Sequence, residues 1–113
     1  MARGDIRRPR RRYRRRTVRV LVDYASDAGL CTDPATTLGA GGLFIETETP
    51  LRKGARLKMR FQLPGSSVVH EIEGRVVWQR RGTEPGHYAP GMGIEFTERT
   101  AAAKLAQELE SLT

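Results

Sequence analysis

Two strands and the turn between them are encoded by residues 57–78, which read LKMRFQLPGSSVVHEIEGRVVW. Apolar and polar side chains alternate on both sides of Pro64-Gly65, and a period of two residues is typical of a strand with one buried face. Pro presets φ and Gly accepts a positive φ, so this pair predicts a hairpin turn. Gly74 predicts a bend or bulge in the second strand. Trp78 continues the apolar face, so we expect core packing, with stacking on a purine as the alternative.

The same alternation recurs at residues 18–23 and 92–96, and a further strand-like segment follows Gly41-Gly42 at residues 43–49, with segments rich in Gly or Pro between them. Strands that follow one another at intervals of about ten residues are typical of a small antiparallel barrel or sandwich, so we expect an all-β fold. The C-terminal segment differs, because it is rich in strong helix formers and spaces its apolar residues on one helical face. It predicts a helix over residues 101–112 that packs on the barrel.

Positive charge is concentrated at the N-terminus of the chain. Residues 1–19 contain ten arginines and one acid, Asp5, whereas the remaining residues carry ten basic and twelve acidic side chains. We therefore expect two parts, an arginine arm at residues 1–16 and a folded domain at residues 17–113. Guanidinium groups bind phosphate oxygens and the guanine edge in bidentate fashion, so the arm suits an anionic, planar ligand. The alternative is a solvated tail that self-repulsion keeps disordered in the free protein.

Composition argues against several other classes of protein. The single cysteine, Cys31, excludes an internal disulfide or a multi-cysteine zinc site, and two histidines are too few for a metal cluster. No apolar run is long enough to span a membrane, and the arginine-rich start lacks the apolar segment of a signal peptide. The sequence contains no P-loop or dinucleotide fingerprint and no supported catalytic triad. We expect a cytoplasmic protein that is not an enzyme and has no metal site or cofactor.

Several short motifs follow one another in a fixed order along most of the chain. They are an arginine-rich segment before the first strand, Gly-Leu-Phe-Ile at 42–45, Pro-Leu-x-x-Gly at 50–54, Gly-Arg-Val-Val-Trp at 74–78 and Pro-Gly-Met-Gly-Ile-x-Phe at 90–96. In this order and spacing they resemble the bacterial PilZ domain. The resemblance implies a six-stranded antiparallel β-barrel and, in many members, binding of the second messenger cyclic di-GMP.

The first ligand motif of the family is Arg-x-x-x-Arg, on the segment before the first strand. Arg11 and Arg15 match it best, and Arg12 and Arg16, one residue further along, match it as the alternative. Two guanidinium groups four residues apart can clamp a phosphate and stack on guanine or bind its edge. The resemblance therefore implies that these four arginines belong to the ligand site.

The second ligand motif, Asp/Asn-x-Ser-x-x-Gly, aligns with residues 37–42, and here the chain departs from the family. Thr37 stands at the position of the acid or amide, Gly39 at that of the serine, and Gly42 is retained. Loss of one charge-assisted hydrogen bond and one hydroxyl bond removes about 2 to 4 kcal/mol of binding free energy. This segment is either a weakened nucleotide site or a plain turn between strands.

Three functions fit the sequence, and we rank them in the following order. The first is a cyclic di-GMP receptor whose arm becomes ordered on the ligand and whose new surface binds a downstream partner protein. The second is a PilZ-like adaptor that no longer binds the messenger and acts by protein–protein contact. The third is nonspecific nucleic-acid binding through the arm.

Overall fold

The structure, a computed structural model, describes residues 19–27, 29–81 and 89–111. Its elements are, in chain order, β1 (Val20–Ser26), β2 (Gly29–Thr36), β3 (Gly42–Glu46), β4 (Arg56–Gln62), β5 (Val69–Arg80), β6 (Gly91–Phe96) and α1 (Arg99–Ser111). The strands form a closed antiparallel barrel with the neighbour order β1-β2-β3-β6-β5-β4. The predicted fold class, a six-stranded antiparallel barrel with a C-terminal helix, is confirmed. The arginine arm lies outside the described residues, so the domain boundary at residue 17 stays a prediction.

The core fills the inside of the barrel and is made by the apolar faces that alternation predicts. In β4 and the turn after it, Leu57, Met59, Phe61 and Leu63 are buried, while the residues between them are exposed. A fully buried side chain of this size stabilises the fold by about 1.5 to 3 kcal/mol relative to an exposed one. The alternation of this strand therefore fixes which of its faces points inward.

Strand β2 is the element that alternation does not predict. Its sequence, GLCTDPAT, includes Gly and Pro, and most of its side chains are exposed or half-buried. β2 pairs with β1 along its length but with β3 only at Ala35 and Thr36. Pro34 has no N–H to donate, and such a residue is tolerated where a strand is paired on one side only. The sixth strand follows from the family resemblance and not from the residue pattern.

Strand β5 contains an irregularity, but it does not lie at Gly74 as predicted. The register between β5 and β6 shifts between Val76 and Trp78, so that Val77 has no opposite residue on β6. The extra residue reverses which side chains point inward, and Trp78 is 43% exposed. The expectation that Trp78 packs in the core is therefore wrong. Gly74 serves close packing instead, because a Cβ there would lie 2.5 Å from Ile94 Cγ2.

Helix α1 is joined to the barrel by buried apolar and polar contacts. Leu105 and Leu109 enter the core. Beside them, the buried His70 Nε2 donates to Glu108 Oε1 at 2.5 Å, and Ser66 Oγ donates to the other carboxylate oxygen. The hydrogen bonds from Ser66 and His70 lower the pKa of Glu108 below its ordinary value. The carboxylate thus connects the helix to the β4–β5 turn and to β5.

Candidate ligand-binding site

Residues 37–42, which we call the glycine turn, connect β2 to β3 and form one wall of a surface pocket. Leu38 is fully buried and fixes the turn to the core. The turn is closed by a hydrogen bond of 3.0 Å from Gly39 N to Gly42 O, and Gly41 O accepts a bond from β6. Its conformation is therefore set by the barrel before any ligand arrives.

Thr37 has an unusual backbone conformation at the start of the glycine turn. Its φ of 47° lies in the left-handed region, and no other described residue apart from glycine has a positive φ. A β-branched side chain is unfavourable there, whereas Asn and Asp adopt this conformation more readily. Its hydroxyl donates to the carbonyl of Thr36 at 2.7 Å. The backbone thus suits the acid or amide of the family motif better than the threonine that occupies the position.

Gly42, the retained glycine of the motif, is required by strand packing. A Cβ on Gly42 would lie 2.0 Å from the carbonyl oxygen of Ile94 on the neighbouring strand β6. By contrast, a Cβ on Gly41 would meet no atom within 4 Å. The close approach of β3 to β6 therefore accounts for Gly42 without any contact to a ligand.

An aromatic platform forms the opposite wall of the pocket. The ring of Trp78 lies against β6 at Gly93, where a Cβ would be 2.1 Å from the indole Nε1. Phe44 stacks on Trp78 with ring centroids 5.2 Å apart and an interplanar angle of 24°. The guanidinium of Arg80 lies 4.5 Å from the Phe44 centroid and 5.5 Å from that of Trp78. These contacts hold the indole flat on the barrel while much of it stays exposed.

The pocket between the glycine turn and the aromatic platform has a volume of about 450 Å³. Glu95 on its wall forms an ion pair with Arg75, at 3.0 Å. None of the described residues that line the pocket is Lys or Arg. The guanidinium of Arg80, which lies over the aromatic platform, is the cation nearest to this lining. A ligand with two phosphates therefore needs further cations, and the arginine arm is the richest source in the chain.

The first described residues lie beside this pocket. Val20, the first residue of β1, pairs with Ala35, two residues before Thr37. Arg19, which precedes it, forms an ion pair with Glu46 of β3 at 3.0 Å. The residues before Arg19 are therefore joined to the barrel close to the glycine turn.

The structure brings together part of the predicted site. Thr37, Gly39 and Gly42 all line the pocket. The four predicted arginines lie outside the described residues and stay predictions: Arg11, Arg12, Arg15 and Arg16. Sequence reasoning underrated Trp78, although three large apolar residues in a row at 76–78 interrupt the alternation and signal a bulge.

Neither a metal cluster nor a spanning helix occurs in the described part of the chain. Within residues 19–27, 29–81 and 89–111, His, Cys, Asp and Glu form no group of three or more that suits a metal ion. No helix in these ranges is both long and apolar enough to cross a membrane.

Comparisons with known proteins agree with this architecture. The PilZ domain of YcgR from Escherichia coli, solved with c-di-GMP, superposes with a TM-score of 0.69 at 18% identity over 91% of each chain. The PilZ domain of CeSA from a cellulose-synthesizing bacterium gives 0.60 at 19% identity, over 85% of this chain and 97% of that one. A search of curated protein sequences finds no match.

A third similar structure is the Bacillus subtilis inhibitor of motility, MotI or DgrA, with a TM-score of 0.61 and 19% identity. The match covers 91% of this chain and 52% of MotI, so the chain spans about half of that protein. At such identities these three likenesses establish the fold. The family model of the PilZ domain matches residues 9–113. This match covers nearly the whole sequence, and the chain therefore belongs to the PilZ domain family.

Proposed function

We propose that this PilZ domain binds cyclic di-GMP between the glycine turn and the aromatic platform, and relays the messenger to a partner protein in the bacterial cytoplasm. The observation that carries the proposal is the exposed, flat indole of Trp78 beside the turn that aligns with the second ligand motif. Stacking of a base on an aromatic side chain contributes about 1 to 3 kcal/mol per base. Trp78 thus offers a guanine the contact that the altered motif at residues 37–42 provides less well.

Phosphate recognition is assigned to the arginine arm. The described lining of the pocket is neutral apart from Glu95, whereas the ligand carries two phosphates. Arg11 with Arg15, or Arg12 with Arg16, would supply bidentate donors on the segment that precedes β1. Val20, the first residue of β1, pairs with Ala35 close to Thr37. In this mechanism the ligand draws the arm onto the barrel, and the partner protein binds the surface that results.

The lone tryptophan of the chain makes the proposal directly testable. A titration with cyclic di-GMP should change the Trp78 fluorescence in a saturable manner, and calorimetry should give the same dissociation constant. Trp78→Ala should weaken binding by about 5- to 150-fold, the equivalent of one lost stack. Val69→Ala, at an exposed position of β5 outside the pocket, is the matched control and should bind as the parent does. Equal affinities of the two variants for cyclic di-GMP would refute the proposal that the ligand stacks on the aromatic platform.

The arm is tested by changing its arginines in the full chain. Arg11→Ala with Arg15→Ala should abolish measurable binding, and the variant that also changes Arg12 and Arg16 removes any redundancy between neighbours. Fourfold substitution without loss of affinity would show that the arm does not hold the phosphates. Titrations at several salt concentrations separate capture of the nucleotide from general attraction to nucleic acid, because the latter falls steeply with salt.

A second candidate function, an adaptor that works without the messenger, is favoured by the chemistry at Thr37 and Gly39. The Thr37 hydroxyl already donates to Thr36, and Gly39 has no side chain. Thr37→Asp with Gly39→Ser tests this alternative, because Gly39 does not have a positive φ and a serine there incurs no left-handed strain. Restored bonds to guanine and phosphate should raise affinity by up to about 30-fold. A stable double variant that still fails to bind would place the adaptor function first.

A further inference from the structure

Charge is distributed unevenly on the outer face of the barrel. On neighbouring strands opposite charges meet, as in the ion pairs Arg75–Glu95 and Arg60–Glu71. The turn that leads into β4 differs, since it presents a cluster of cations, which we call the basic turn: Arg52, Lys53 and Arg56. All three side chains are exposed, and within the described ranges none forms an ion pair or a hydrogen bond.

The backbone of the basic turn is rigidly held. Ala55 N donates to Arg52 O at 3.0 Å, and Gly54 takes a φ of 90°. Two further bonds fix the turn to β5, from Gly54 N to Val76 O at 2.8 Å and from Val76 N to Ala55 O at 2.9 Å. On the other side, the Gln79 amide donates to Leu51 O at 2.8 Å. The cations therefore extend from a preorganised frame, which lowers the entropic cost of binding an anionic partner.

A pocket of about 470 Å³ opens between the basic turn and the β1–β2 hairpin. Arg52 and Arg56 line it together with the apolar side chains of Leu51 and Ala55, and Asp27 lies on the hairpin side. Such a lining matches a segment in which carboxylates alternate with apolar residues. A segment of this kind can place an apolar residue opposite the carboxylate of Asp27. Evenly spaced phosphates suit the pocket less well, because some of them would face this carboxylate.

We infer that the basic turn is a docking surface for an acidic, partly apolar segment of a partner protein. The inference deepens the relay part of the proposed function and rests on it, but it does not depend on ligand binding. Val76 to Gln79 of β5 lie between the two sites, with the Val76 backbone bonded to the basic turn and Trp78 in the ligand pocket. The basic turn and the ligand pocket thus share strand β5.

The test uses the full-length chain and a fluorescein-labelled peptide of about twelve residues in which Glu alternates with Leu and Ala. Arg52→Glu with Arg56→Glu should weaken the binding measured by fluorescence anisotropy at least about tenfold. The matched control is Arg99→Glu with Lys104→Glu on α1, which changes the net charge equally at exposed positions. The control should stay within about twofold of the parent. Equal losses in both variants would show attraction to net charge or to the arm, and would overturn the inference.

Backbone amide shifts in a titration with the same peptide locate the binding site. The largest shifts should fall on residues 51–56 and on Asp27, whereas shifts confined to other residues would refute the assignment. A single-stranded oligodeoxythymidine of equal charge is the competing probe. If the oligonucleotide binds more tightly than the peptide, and the Arg52/Arg56 variant loses this binding, the basic turn is a nucleic-acid surface instead. The same variant should keep the fluorescence response of Trp78 to cyclic di-GMP, so failure of the ligand proposal and failure of this one are distinguishable.

Discussion

Glu108→Ala should destabilise the fold strongly, although the residue lies on a surface helix. The substitution removes the hydrogen bonds that the carboxylate accepts from His70 and Ser66. His70 is 2% exposed, so its Nε2 would be left buried without a partner. Hydrogen bonds to a charged group contribute about 1.5 to 3 kcal/mol each, but the hydroxyl of Ser66 can turn to water. We expect a loss of about 2 to 4 kcal/mol in the free energy of unfolding.

The assay is urea denaturation followed by circular dichroism, with thermal unfolding as a second measurement. For a domain of this size the loss corresponds to a fall of about 10 °C in Tm. Gln107→Ala is the control, because this neighbouring side chain on α1 is exposed and Ala is a good helix former. It should leave stability unchanged within about 0.5 kcal/mol. A Glu108→Ala protein as stable as this control would refute the assignment of the buried contact.

Three further predictions follow from the described geometry. Thr37→Asn should raise the free energy of unfolding by about 0.5 to 1 kcal/mol, because Asn tolerates the left-handed φ; a decrease in urea denaturation would contradict this. Gly93→Ala should displace the indole of Trp78, change its fluorescence maximum and weaken cyclic di-GMP binding, and an unchanged spectrum would show that the contact is loose. Acid should destabilise the parent more than Glu108→Ala. Because the pKa of Glu108 in the folded protein is lower than its ordinary value of 4.5, the ionised carboxylate stabilises the fold at pH values above 4.5, and this stabilisation is lost as the pH falls through the folded pKa. Parallel curves of stability against pH for the two proteins would contradict this expectation.

Local sequence patterns predicted the strands in which buried and exposed side chains alternate without interruption. Strand β4 is the clearest case, since each alternate side chain enters the core and no neighbour alters the register. Strand β2 was not predicted from its residue pattern, because it contains Pro34 and contacts the core with few side chains. Its place in the barrel is determined by pairing with β1, an interaction that is not encoded in its own residue spacing.

The candidate site also depends on contacts between strands, which local sequence patterns do not encode. The alignment with a family motif pointed to residues 37–42, which line a surface pocket, and their role in ligand binding stays a prediction. The aromatic platform requires that Phe44, Trp78 and Gly93 meet, and these residues come from three different strands. Phe44 lies opposite Gly93 through the pairing of β3 with β6, and Trp78 reaches them after the shift in β5. Contacts of this kind depend on the register of the whole barrel and not on any single segment.

The bulge in β5 also has a consequence for the dynamics of the barrel. Val77 has no opposite residue on β6, so its amide stands outside the regular ladder. Backbone at such a point opens at lower free energy than the strands on either side, and its hydrogen exchanges faster. This irregular part of β5 also carries the indole on which a ligand would stack. A bound nucleotide would slow exchange at this point and leave the already protected core unchanged.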